Sequence, residues 1–232
     1  MQIHADLSQR AVVHSDALSW VASPLPGVER RMLERDGEEV ARATSLVRYA
    51  PESHFSPHVH GGGEEFLVLE GVFSDEHGDY GPGYYVRNPP GSSHAPHSEA
   101  GCTIFVKLRQ MLPDDETFVR IDSNKAAWRP GLVPGLSVLP LYDHPAEQVA
   151  LVNWEPGTRF TAHRHVGGEE IFVLDGVFED EQGRYPKGTW LRNPPGSVHE
   201  PFSREGCTIY VKTGHLAPHA VARSAGYAQA AT

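Results

Sequence analysis

HVHGGGEEFLVLEGVF at residues 58–73 returns 105 residues later as HRHVGGEEIFVLDGVF at residues 163–178, and this doubled segment decides the fold. Each copy sets two histidines one residue apart, turns on glycines and continues into an apolar run rich in Val, Phe, Leu and Ile. On a strand, side chains one residue apart share a face, so His58 and His60 project the same way. Glu64 and Glu65 open the next strand and must point to opposite faces, so only one of them can join the histidines. The spacing favours Glu64.

Outward from this segment, residues 46–107 match residues 151–212 without a gap, and 35 of the 62 pairs are identical. Identity at that level implies duplication, and a long period repeated only twice describes a pair of domains, not a solenoid. Upstream the offset becomes 108, pairing Trp20 with Trp128 and Pro26 with Pro134. The expected domains are residues 1–112 and residues 113–232, the second with a C-terminal tail. Strands are expected at 28–33, 43–49, 65–73, 84–87 and 103–108, separated by turn signals such as Gly61-Gly62-Gly63 and Pro89-Pro90-Gly91. No part of the repeated core holds a 3.6-residue period. The expectation is an all-β sandwich or barrel, closed so that no edge is left exposed. Only the alanine-rich stretch after His215 has helical character.

The tight turn Pro89-Pro90-Gly91 delivers His94 back towards the first pair of histidines, and the second half repeats the arrangement with His163, His165, Glu169 and His199. Burying three imidazoles and a carboxylate without an ion or hydrogen-bond partners is costly. The doubled pattern therefore predicts up to two metal sites per chain, at His58, His60, Glu64 and His94 and at the four equivalent residues. Such a donor set suits Zn or Fe, with Mn, Ni and Cu also compatible. Four protein donors leave two positions on a six-coordinate iron but close a tetrahedral zinc, so the identity of the metal separates enzyme from scaffold.

These residues resemble the motifs of the cupin superfamily. Its first motif falls on His58, His60, Glu64 and Gly71 and its second on Gly83, Pro89, Gly91 and His94, with His163, His165, Glu169, Gly176, Gly188, Pro194, Gly196 and His199 in the second half. Ser98 and Ser203 stand where the superfamily has a closing Asn. More narrowly, the GGEE, RNPPGS and GCTI blocks look like the cupin-like domain of the ChrR type, named for a zinc-containing anti-sigma factor and related to acetylacetone-cleaving dioxygenases. The resemblance implies two tandem double-stranded β-helix (jelly-roll) barrels, a divalent metal in each, and a possible homodimer. It suggests a dioxygenase for a small diketone-like or hydroxylated aromatic substrate. The alternative is a non-catalytic zinc cupin that binds or senses a small molecule or an oxidant. The chain lacks the CxxC of the anti-sigma factor's partner-binding zinc module, which argues against sigma binding.

With 20 basic against 30 acidic residues and a formal charge of -10, neither nucleic acid nor an anionic membrane surface is an expected partner. No apolar run approaches a membrane span, the N-terminus does not read as a secretory signal, and two cysteines make no disulfide framework, so a cytoplasmic protein is expected. Cys102 and Cys207 read as small buried hydrophobes. Arg87 and Arg192 either fix the turn that follows them or bind a substrate carboxylate, the turn being favoured. His54 and His97 face Arg159 and Phe202 in the repeat, which points to two pockets of different polarity. Phe66, Val68, Tyr84, Tyr85, Ile171, Val173 and Trp190 read as pocket or core residues alike, and no separate acid or base is identifiable.

Overall fold

The computed structural model describes residues 1–217. The tail with helical character lies almost entirely beyond them. Among the described residues the regular structure is all β except for one short 3-10 turn at Ser15–Ala17, and no helix is long and apolar enough to cross a membrane. Every strand pairing is antiparallel.

In the first unit an eight-stranded sheet runs through Val28–Gly37, Ala41–Tyr49, Cys102–Leu108, Glu64–Gly71 and Tyr84–Asn88 to Val119–Asp122. A four-stranded sheet faces it, made of Gly78–Tyr80, Phe73–Asp75, His97–Ser98 and Ser53–His54. The inward alternation of apolar side chains closes the space between them: Phe66, Val68, Phe73, Val86, Ile104 and Val106 form one buried cluster. The second unit repeats the scheme, with Ile171, Val173, Phe178, Leu191 and Ile209 in the same roles. Leu69 and Leu174 are left unpaired by a register shift at equivalent points of the two barrels. Such a bulge bends its strand, and here the bent strand carries the chain from one sheet into the other.

Among the described residues, compact packing assigns Met1–Ala5 and Leu18–Lys125 to the first unit, and Asp6–Ala17 with residues 126–217 to the second. This differs from the 112/113 cut drawn from the repeat in two short segments, and strand pairing is the reason. Val119–Asp122 completes the first large sheet beside Tyr84–Asn88, and Ala11–His14 completes the second beside Thr189–Asn193.

Candidate metal centre

Each cluster is assembled by a two-stranded ladder and one glycine turn. His58–Val59 pairs with Ser93–His94 so that His58 lies directly opposite His94, and His60 is pinned next to them by its amide, which donates to the Ser92 carbonyl at 2.9 Å. The chain then turns at Gly63, whose φ of 77° favours glycine. A side chain there would also strike Met111. Glu64 follows at once, paired with Asn88 in the large sheet. In the second unit His163 lies opposite His199, Gly168 turns with φ 76°, and Glu169 pairs with Asn193.

The three imidazoles of each half converge. Ring centroids of His58, His60 and His94 are 4.7 to 5.1 Å apart, those of His163, His165 and His199 are 4.6 to 4.9 Å apart, and in each trio one ligand atom per residue lies within 4.8 Å of the others. Glu64 adjoins two of them, with its Oε2 3.4 Å from His60 Nε2 and 3.5 Å from His94 Nε2. Glu169 adjoins the equivalent pair with both oxygens, Oε1 at 3.5 Å from His165 Nε2 and Oε2 at 3.6 Å from His199 Nε2. The neighbouring Glu65 and Glu170 point the other way: Glu65 accepts from the Tyr85 hydroxyl at 2.7 Å and from Arg87 at 2.8 Å, and Glu170 meets His215 at 3.0 Å.

The donors fit a divalent ion. Atoms sharing an ion at about 2.1 Å lie about 3.0 Å apart when adjacent on an octahedron and about 3.4 Å apart on a tetrahedron, and a slightly shorter bond brings the first value to about 2.9 Å. The 2.9 Å between His165 Nε2 and His199 Nε2 and the 3.4 Å between Glu64 Oε2 and His60 Nε2 fall in that range, and the other carboxylate–imidazole spacings, 3.5 to 3.6 Å, lie just above it. His60 Nε2 is buried with no hydrogen-bond partner, an arrangement that costs free energy unless something else occupies the lone pair.

The far sides of the ligands are held by groups that sequence reasoning missed. His58 and His163 turn their Nδ1 atoms to the carbonyls of Ser56 and Thr161, at 3.2 and 2.9 Å. A carbonyl can only accept, so each ring carries its proton on Nδ1 and leaves Nε2 bare. His94 Nδ1 meets Asp75 Oδ2 at 3.2 Å; the equivalent His199–Asp180 separation of 3.7 Å is an ion-pair distance. Tyr80 and Tyr185 donate to Asp75 and Asp180 at 3.0 and 2.7 Å, and Asn88 and Asn193 donate to Glu64 and Glu169 at 3.1 and 3.0 Å. All six are identical between the halves, which was the one signal available in the sequence.

The electrostatics follow from these contacts. Burial opposes charge on Asp75, but hydrogen bonds from His94, the His77 amide and Tyr80 outweigh it and hold the carboxyl at about 2. Burial pushes His60 and His165 below the usual imidazole range, which favours the neutral ligand form. On His94 and His199 burial is overcome by the facing Asp and Glu carboxylates, which raise both.

Of the remaining candidates, Arg87 and Arg192 are buried among protein partners. Arg87 bridges Glu65 and Asp115 at 2.8 and 2.5 Å, and Arg192 donates to the carbonyls of Asp6 and Gln9; each ties in the segment that completes its sheet. Phe66, Val68, Ile171 and Val173 are core, and Trp190 is fully buried. Tyr85 points to Glu65, and Tyr84 packs on Tyr80. His54 stacks on His97 at 5.5 Å where the second barrel sets Arg159 over Phe202 at 4.6 Å, a difference located on the outer ladder. Next to the donors stand Phe73 and Phe178, 5.8 and 6.4 Å from the rings of His94 and His199. Tyr49 in the first half corresponds to Trp154 in the second, and the Tyr49 hydroxyl is raised by burial and by the Glu64 carboxylate nearby.

A family model described as the ChrR cupin-like domain matches residues 8–112 and again residues 116–217. No curated protein matches the chain. Among solved structures, the chain is similar to a candidate dioxygenase from Nostoc punctiforme, at 15% identity over 88% of this chain and 82% of that one, with a TM-score of 0.72. It is also similar to the protein YlbA from E. coli, at 16% identity over 91% and 93% with a TM-score of 0.70. A cupin barrel domain protein from Leptotrichia buccalis matches at 11% identity over 88% and 96%, with a TM-score of 0.60. At these identities the likeness concerns the fold alone.

Proposed function

The chain belongs to the ChrR cupin-like family through both of its halves, and from that premise we propose that each of its two cupin barrels holds a divalent metal, and that the protein is a metal-dependent dioxygenase for a small diketone-like or hydroxylated aromatic substrate. One observation carries this reading: three imidazoles and a carboxylate meet twice, with Nε2 of His58 and His163 left bare by carbonyls behind the rings. A redox-active ion would supply Lewis acidity towards an enolic or phenolic oxygen and the electrons that dioxygen chemistry needs.

The chain's own residues do the rest. His58, His60, Glu64 and His94, with His163, His165, Glu169 and His199, hold the ion and are themselves oriented by Asn88, Asp75, Asn193 and Asp180. Phe73 and Phe178, both core residues, pack against the rings of His94 and His199 and give the centre an apolar backing. The similarity to the candidate dioxygenase from Nostoc punctiforme agrees with this chemistry. A small molecule is the partner this function requires, and a homodimer is the assembly it is expected to form.

The test begins with metal analysis of protein purified from its native host, with two equivalents of a redox metal per chain expected. Anaerobic loading with Fe(II), followed by oxygen uptake on a panel of β-diketones and catechols, should then show turnover. Failure of every substrate would overturn the enzymatic part. A second reading is favoured by the full complement of four protein donors, which can close a tetrahedral zinc: a zinc cupin that binds a small molecule or oxidant without turnover. Stoichiometric native zinc with ligand-dependent stabilisation and no oxygen uptake would select it.

A further inference from the structure

Two arginines outside the repeated core reach both centres in the same way. In the first unit Arg120 Nη2 donates to Asn88 Oδ1 at 2.6 Å and Arg120 Nε donates to the Tyr80 hydroxyl at 3.2 Å. Asn88 passes to Glu64 and Tyr80 passes through Asp75 to His94. In the second unit Arg10 Nε donates to Asn193 Oδ1 at 3.1 Å and Arg10 Nη2 donates to the Tyr185 hydroxyl at 2.5 Å. Asn193 passes to Glu169, Tyr185 to Asp180, and Arg10 also reaches Asp180 Oδ2 at 3.4 Å. Each guanidinium thus closes a ring running from the carboxylate donor to an imidazole donor.

The two arginines are not repeat equivalents. Ala11–His14 and Val119–Asp122 take the same register on their sheets, Ala11 opposite Arg192 and Val119 opposite Arg87, so Arg10 corresponds to Phe118 and Arg120 to Val12. Every other member of the two rings is an identical pair. An arginine needed only to anchor the outer strand has no reason to reach the same amide oxygen and the same hydroxyl from two different positions.

We propose that Arg120 and Arg10 are positioning residues that set the proton polarity of the two ligand shells, an inference that rests on metal binding at these centres. A guanidinium only donates. It therefore compels the Tyr80 or Tyr185 hydroxyl to accept from it and to give its own proton to Asp75 or Asp180. It likewise fixes the Asn88 or Asn193 oxygen outward, which turns the amide N–H towards Glu64 or Glu169. In the first unit Asp75 stays an acceptor for His94 Nδ1–H, and the Nε2 lone pair of His94 faces the ion.

The experiment loads full-length wild type, Arg120→Met and Arg10→Met with Co(II), following the visible spectrum and the affinity by chelator competition. Wild type should take two equivalents. Each variant should bind one of them about 10- to 100-fold more weakly, with an altered ligand-field spectrum for that equivalent only. The control Arg48→Met, at an exposed pair with Glu29, should change neither. Arg120→Lys and Arg10→Lys keep a donor but cannot span both acceptors, so they should restore affinity only in part; if the methionine variants do not fold, the lysine variants decide by the same two readouts. Folded variants with wild-type affinity and spectrum at both sites overturn the proposal. Wild type that takes up no cobalt overturns the metal reading instead.

Discussion

Replacing Asp75 by Asn changes no volume but reverses one hydrogen bond. Asp75 Oδ1 accepts from the His77 amide at 2.8 Å and the Tyr80 hydroxyl at 3.0 Å. In Asp75→Asn the amide oxygen must stay there, because a flip would leave two donors unpaired at about 1–3 kcal/mol each. The amide nitrogen then faces His94 Nδ1, which sits 3.2 Å from Oδ2 in the native chain. Two donors cannot face each other, so the ring moves its proton to Nε2, the atom that adjoins Glu64 Oε2 at 3.5 Å. Metal binding must undo that tautomer. Loss of such an orienting partner costs about 10- to 100-fold in affinity, or about 1.4–2.7 kcal/mol. Competition with a chromophoric chelator at neutral pH should show one of two equivalents weakened to this degree, the intact second barrel serving as internal reference. Folded Asp75→Asn protein that binds both equivalents as tightly as wild type would refute the tautomer argument.

Three further outcomes follow from burial and charge. Asp75 is held at about 2 against an ordinary 3.8, so in metal-free protein its contribution of about 2 kcal/mol is complete above pH 3.8 and is lost as pH falls towards 2. Urea unfolding of wild type against Asp75→Asn should show the gap between them narrowing by that amount across this window, and a constant gap would contradict it. Burial pushes the Cys102 thiol to about 11 and the Cys207 thiol to about 12. A thiol reagent at pH 8 should therefore label neither cysteine until denaturant is added, and rapid native labelling would show the burial to be wrong. Phe66→Ala empties a core position 1% exposed and removes a ring 4.5 Å from Phe73; unfolding free energy should fall by about 3–5 kcal/mol, and a loss under 1 kcal/mol would mean that the barrel is not packed as described.

Duplication, the β class and the eight converging side chains were legible in the amino-acid order alone. A strand's two-residue period fixes that His58 and His60 share a face and that Glu64 and Glu65 do not, and an aligned repeat shows which residues recur. These are local or copied properties. What no local pattern encodes is which segment supplies the last strand of each large sheet. The cut drawn from the repeat keeps residues 1–112 together, yet Ala11–His14 pairs with Thr189–Asn193, while Val119–Asp122 pairs with Tyr84–Asn88. Main-chain hydrogen bonds are indifferent to residue identity, so such pairings are decided by which edge the folded chain presents. The roles of Arg87 and Arg192 escaped for the same reason, since Asp115 and the Asp6 and Gln9 carbonyls lie far from any turn motif. Arg10 and Arg120 could not be recognised by register, because they reach equivalent atoms from positions that are not equivalent. Sequence therefore determined which histidines and glutamates recur on a shared face, through periodicity and repetition; tertiary structure alone decided what stands behind them, because hydrogen bonds are chosen by proximity in space and carry no signature along the chain.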